Sequence, residues 1–356
     1  MRPISRMAAL LSGGALAVLM VSQFATGAER LAAANPRTAV LKPASAPYID
    51  GHTHIDQNRP EEAVQLLLGA MDGLNAAKYY IQTEPYGPDN PTAWDADKIL
   101  AAVKKYPDKM AALGGGGTLN PMIIDAQRTG NAGPEVRKKF RDTAERLIAQ
   151  GIVGFGEMSI EHLSLPQSPV KDYEYAAADS PLMMLLADIA AEHNIPIDLH
   201  MEALPQTINT PTEYGPPNPP QLQGNIAAFE RLLAHNRNTK MIWAHAGSDN
   251  IGFRTPELMR GMLQRNSNLY LEIKYDPGFP GKDPPVADGK IKPEWMKLYS
   301  DFPDRFLIGS DQHFDPPATG PLARSQQNAL LLDQMPPDLR RKIAMENAQR
   351  LYSGKR

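Results

Sequence analysis

The chain has 356 residues, 42% of them hydrophobic, enough for one large domain with a packed core; a single α/β barrel of about 250 residues plus insertions accounts for it without a second domain. A formal net charge of -3 and a pI near 6.3 speak against a polyanionic partner, so no nucleic acid is expected. Cysteine is absent, which excludes disulfides and thiolate ligands and leaves His, Asp and Glu to hold any metal.

The N-terminus reads as an export signal over residues 1–28. Arg2 and Arg6 precede an apolar run at 7–21, and Thr26-Gly27-Ala28 offers a small-x-small cleavage site. A run of about 15 residues is short for a membrane span of ~20. The expectation is therefore cleavage, no stable membrane span afterwards, and a periplasmic or secreted protein. Residues 29–46, rich in Ala and Pro and without apolar periodicity, read as a tether.

From residue 47 onward, short apolar runs alternate with helical patterns. The runs fall at 47–52, 78–82, 110–114, 152–156, 195–199, 241–244, 269–273 and 306–310, and helical periodicity is visible at 61–77, 134–150, 182–194, 225–236 and 256–265. Eight such units are the arithmetic of a (β/α)8 TIM barrel, read here as one domain over 47–356. A doubly wound open sheet is the alternative, but no glycine-rich phosphate loop follows the first run. Long connections at 158–180, 204–221 and 275–293 follow strands, so in a barrel they stand over the catalytic face.

The strand ends carry the chemistry. The first run ends in His52-Thr53-His54, and residues i and i+2 of a strand share a face, so both imidazoles can aim at one point. The fourth run is followed by Glu157, the fifth by His200, the sixth by His245 and the eighth by Asp311. In a barrel these positions converge on one mouth, and this set of nitrogen and oxygen ligands suits a divalent metal: zinc first, with Mn, Fe or Co as replacements. Lys274, at the end of the seventh run, and His313, two residues past Asp311, are placed to touch substrate. Arg254 stands where a carboxylate-binding guanidinium would be useful. His162, His193 and His235 read as loop or helix-end residues, and Asp50 and Asp198 as barrel residues sharing the strand faces of His52 and His200.

The segments Ile49-Asp50-Gly51-His52-Thr53-His54, Asp198-Leu199-His200, Ala244-His245-Ala246-Gly247, Ile308-Gly309-Ser310-Asp311 and Glu346-Asn347-Ala348-Gln349-Arg350-Leu351 occur in this order. With them the chain resembles the amidohydrolase superfamily, in particular the amidohydrolase-related branch that includes aminocarboxymuconate-semialdehyde decarboxylase. The resemblance implies a distorted barrel with metal on His52, His54, His200 and Asp311, and with His245 as a further ligand or a catalytic residue. Many binuclear members use a carboxylated lysine at the end of strand four, and 151–160 contain no lysine. Glu157 could bridge two ions instead, as a matching glutamate does in the superfamily's metal-dependent deoxyribonucleases. Its other reading is a carboxylate that orients a ligand or a water. The branch is commonly mononuclear, so one ion is the expectation.

A bound divalent cation makes hydroxide available near neutral pH. Asp311 is then the natural proton acceptor, and His245 stabilises the oxygen that becomes negative. The leading expectation is a metal-dependent hydrolase of an ester, lactone or amide bond in a small molecule. A non-oxidative decarboxylase of an unsaturated or aromatic acid shares the same residues, and an exported metal-binding protein without activity is the third class. A homo-oligomer is compatible with all three.

Overall fold

The computed structural model describes residues 41–165, 172–279, 281–316 and 322–354. The export signal expected at 1–28 lies outside the described residues, as do residues 29–40 of the tether. Among the described residues, no helix is long and apolar enough to cross a membrane. Residues 41–46 lie directly on the barrel domain: Ala44 N donates to the Leu74 carbonyl at 3.1 Å, and Ser45 N donates to Asp333 Oδ1 at 2.9 Å.

Among the described residues, eight parallel strands form the barrel: β1 (Tyr48–Ile55), β2 (Ala76–Ile81), β3 (Met110–Gly115), β4 (Gly154–His162), β5 (Pro196–Met201), β6 (Lys240–Ala246), β7 (Leu269–Ile273) and β8 (Phe306–Ile308). Each pairs with its sequential neighbours, and β1 also pairs with β8 through Asp50 and Ile308, which closes the ring. Strands buried on both faces must be apolar on both, which is why they stand out as continuous runs instead of alternating ones. The short strand Gln312–Phe314 extends the β8 side of the rim and pairs with β1 from Thr53 to Ile55.

The helices cover the outside with one apolar stripe each. In Pro134–Gln150 the buried residues Phe140, Ala144 and Leu147 recur at helical spacing; Pro134 starts the helix and Gly151, at φ 108°, ends it. Four further helices, Asp97–Lys105, Leu119–Thr129, Pro293–Asp301 and Ala323–Leu332, leave weaker sequence patterns. Asp97–Lys105 buries only Ile99 and Leu100, too few for a periodic signal. The last helix, Asn347–Tyr352, brings Leu351 and Tyr352 into an apolar cluster with Ile49, Leu113, Ile242 and Leu307. Asn347 Nδ2 donates to the carbonyls of Pro303 and Phe306, tying this tail segment to β8.

Strand β4 runs six residues further than the apolar run suggests, through His162. The connection after it therefore begins later, and His162 belongs to a strand end instead of a loop. In β1 the register shifts between Asp50 and Thr53, which breaks simple alternation. Asp50 is fully buried and accepts the backbone N–H of Ser310 at 2.9 Å and, more weakly, that of His52.

Candidate metal centre

The rim gathers His52 and His54 from β1, Glu157 from β4, His200 from β5, His245 from β6 and Asp311 from the turn after β8 into one cluster, all buried except the half-buried His200. Glu157 is its hub. Its Oε2 faces the Nε2 atoms of His52 and His54, each at 3.5 Å, while its Oε1 faces His200 Nδ1 at 2.9 Å and His245 Nε2 at 3.1 Å. Asp311 Oδ1 joins the first half at 3.2 Å from His54 Nε2.

The partners of the first two histidines fix which nitrogens are free. His54 Nδ1 lies 3.0 Å from the Gln82 carbonyl, an acceptor only, so it carries the proton. His52 Nδ1 likewise meets Glu272 Oε2 at 2.9 Å and Asp198 Oδ2 at 3.2 Å. Both Nε2 atoms therefore present lone pairs, and they sit 3.2 Å apart. Two lone pairs facing each other beside a carboxylate call for a cation between them, so the donor set fits a divalent metal. Glu272 reaches His52 because glycine stands opposite: a Cβ on Gly309 would lie 2.6 Å from its carboxylate, and one on Gly51 3.0 Å.

The field of the cluster keeps its carboxylates charged. Burial alone would raise Glu157, but with a proton on His52 standing where a metal ion would, drawn there by Asp198, Glu157 and Glu272, and with hydrogen bonds from His200 and His245, the carboxyl is held well below the usual range. Burial likewise opposes the charge of Asp311, and Lys274 and Arg324 hold that carboxyl well below its ordinary value. His245 and Asp311 both have left-handed backbones, φ 66° and 54°, a conformation that costs about 1–2 kcal/mol for an L residue and concentrates at sites where direction matters.

Lys274 and His313 also reach this region. Lys274 Nζ donates to Asp311 Oδ2 at 2.6 Å; His313 lies between Asp311 Oδ1 at 3.5 Å and Glu84 Oε1 at 3.4 Å, with its ring stacked on His54. Arg254 is differently engaged from the carboxylate clamp expected of it. Its Nη atoms donate to the main-chain carbonyls of Ala244 and Met201, and its guanidinium packs on the Trp243 ring, joining β5 to β6. Sequence reasoning missed Arg324, whose Nη1 donates to Asp311 Oδ2 at 3.0 Å, and His162, whose ring lies 4.6 Å from that of His200. It also missed Glu272, although a lone acid inside an apolar strand was a readable signal. His193 and His235 pair with Glu145 and Asp188, away from the cluster.

Beside the cluster lies a cavity of about 140 Å³, bordered by His162, Glu202, Asn250 and Phe279 as well as by the cluster itself. A second cavity of about 430 Å³ shares His54, Glu84 and His313 with it.

No curated protein matches the chain. Solved structures that match include an amidohydrolase 2 from Bifidobacterium longum subsp. infantis, 14% identical, with 86% of this chain and 98% of that one covered and a TM-score of 0.42. An amidohydrolase from Mycobacterium avium subsp. paratuberculosis K-10 is 13% identical, with 83% and 74% covered and a TM-score of 0.42. The amidohydrolase family model (Amidohydro_2) matches residues 49–354, so the chain belongs to the amidohydrolase family, enzymes of the hydrolase type.

Proposed function

We propose that the protein hydrolyses an ester, lactone or amide bond of a small molecule at a two-ion centre, with zinc as the first choice of metal. The observation that carries this reading is the division of Glu157: one oxygen faces the His52/His54 pair and the other the His200/His245 pair. The sequence favours a single ion, but one carboxylate shared by two half-cages supports two, with Asp311 completing the first and His245 acting as a ligand of the second.

Divalent cations here supply Lewis acidity and make hydroxide available near neutral pH. The chain's own groups do the rest. Asp311 Oδ1 faces the cage and takes the proton of the attacking water, then returns it to the leaving group. Its other oxygen is held by Lys274 and Arg324, which keep the acceptor from turning away. Glu272 and the Gln82 carbonyl hold the two β1 imidazoles in the tautomer that points Nε2 inward.

The test combines metal analysis of the purified protein with a substrate screen in ¹⁸O-labelled water. About two ions per chain and solvent oxygen in the product are expected. Carbon dioxide release without solvent oxygen would replace the hydrolase with the decarboxylase, and a protein that binds no divalent metal would remove both. Export to the periplasm or medium remains part of the proposal, supported by Arg2, Arg6 and the apolar run at 7–21.

A further inference from the structure

Strand β5 carries three polar residues at a spacing of two, Asp198, His200 and Glu202, the last just past its end. Asp198 lies under the cage at His52, His200 lies in it, and Glu202 therefore stands one step nearer the mouth on the same face. It borders the cavity beside the cluster together with Asn250.

Glu202 is only 2% exposed and Asn250 9%. Asn250 Nδ2 donates to Glu202 Oε1 at 2.5 Å, and since a carboxylate accepts only, this fixes the amide orientation and turns Asn250 Oδ1 elsewhere. Among the described residues, neither Asn250 Oδ1 nor Glu202 Oε2 meets a donor. Both residues border the cavity, and a buried acceptor without a donor is costly unless a ligand supplies the missing hydrogen. One donor in the same region, Arg254 Nε, is also unpartnered.

We infer that Glu202 and Asn250 form a subsite for a hydrogen-bond donor on the substrate, a hydroxyl or amino group close to the bond that is cut. A substrate carboxylate is disfavoured there, because it would face a carboxylate and an amide oxygen. The inference deepens the metal-dependent reading and rests on it, since the metal centre places the reacting bond next to this wall.

Hydroxamates that anchor on the metal provide the probe. Acetohydroxamate carries no further polar group, glycine hydroxamate adds an amine, glycolohydroxamate adds a hydroxyl, and malonohydroxamate adds a carboxylate. All four are titrated calorimetrically into the zinc-loaded chain at neutral pH. Glycine hydroxamate, glycolohydroxamate or both are expected to bind about tenfold or more tighter than acetohydroxamate, as one charge-assisted hydrogen bond allows, and the stronger of the two names the donor. In Glu202→Gln, with metal content checked on the same preparation, that preference is expected to fall to about threefold or less.

Equal binding of all four would overturn the subsite and leave the metal centre standing. Tightest binding of malonohydroxamate would overturn it as well, as would an undiminished preference in Glu202→Gln. Failure of all four to bind would remove both the subsite and the metal-dependent reading. The comparison on the unaltered chain decides the matter even if the variant fails to fold.

Discussion

Lys274 Nζ sits 2.6 Å from Asp311 Oδ2, on the opposite side of the carboxylate from the oxygen that faces His54. One carboxylate is thereby divided between a cation that belongs to the chain and a cage built for a metal. Arg324 contributes a second bond to the same oxygen at 3.0 Å, while its Nε is bound to Asp276. The pair makes the direction of Asp311 a property of β7 and the helix Ala323–Leu332 as much as of its own turn.

Removing the ammonium should loosen that direction without emptying the cage. Lys274→Met is expected to keep its metal and to lose about tenfold or more in kcat, because a displacement of the proton acceptor by about 1 Å can cost up to ~100-fold. Metal content and turnover of one preparation are the measurements. Unchanged turnover would show that the lysine only balances charge.

The Glu272 contact with His52 Nδ1 predicts a different phenotype. Groups that hold a metal-binding imidazole typically account for about 10- to 100-fold in metal affinity. Glu272→Leu should therefore weaken retention by that amount in a chelator competition, and Glu272→Gln, which can still accept from Nδ1, by less. Equal retention in wild type and both variants would remove Glu272 from the metal site.

These relationships also mark the limit of what the sequence discloses. The eight strands were readable because burial on both faces leaves continuous apolar runs, and His52, His54, Glu157, His200, His245 and Asp311 stand out because each follows such a run. The division of Glu157 between two histidine pairs was not readable, since distances between the ends of different strands are set by barrel closure. Glu202 could have been found by counting two residues on from His200. His162 was hidden because Ser159 and Glu161 interrupt the apolar pattern of β4. Arg254 borders the cavity as a substrate-binding residue would, but an arginine's sequence position does not show that main-chain carbonyls take two of its donors.

Stability should depend on pH through Glu174, which no part of the proposed cage uses as a ligand. Burial, with Asp172 adding to it, pushes its carboxyl from 4.5 up to about 8. A carboxyl whose pKa is raised by folding stabilises the fold while it is protonated. Its contribution is complete below about 4.5 and is lost as pH rises through about 8. Glu174→Gln stays neutral throughout. Its stability relative to wild type should therefore rise between pH 5 and pH 8 by a few kcal/mol, at about 1.4 kcal/mol per pKa unit. Denaturant unfolding of both proteins at the two pH values measures it, and parallel losses would show that Glu174 does not titrate in this range.

Asp311 has two duties that one substitution can separate. As a ligand it offers Oδ1 to the His52/His54 half of the cage, and as a proton acceptor it must be charged and able to take a hydrogen. Asp311→Asn keeps the shape and an oxygen that can approach a metal, but an amide does not accept a proton at neutral pH. If the acid-base duty dominates, turnover collapses while the metal stays. General acid-base assistance contributes about 10²- to 10⁴-fold, and a group that also positions the nucleophile can cost more, so a loss at or above the upper figure is expected. In the variant, Lys274 and Arg324 also face an amide instead of a carboxylate, so some loss of stability should accompany the loss of rate. Metal content, kcat and unfolding midpoint of the same preparation separate the outcomes. Near-normal turnover would reject Asp311 as the base, and loss of metal together with rate would show that its charge serves chiefly to hold the ion.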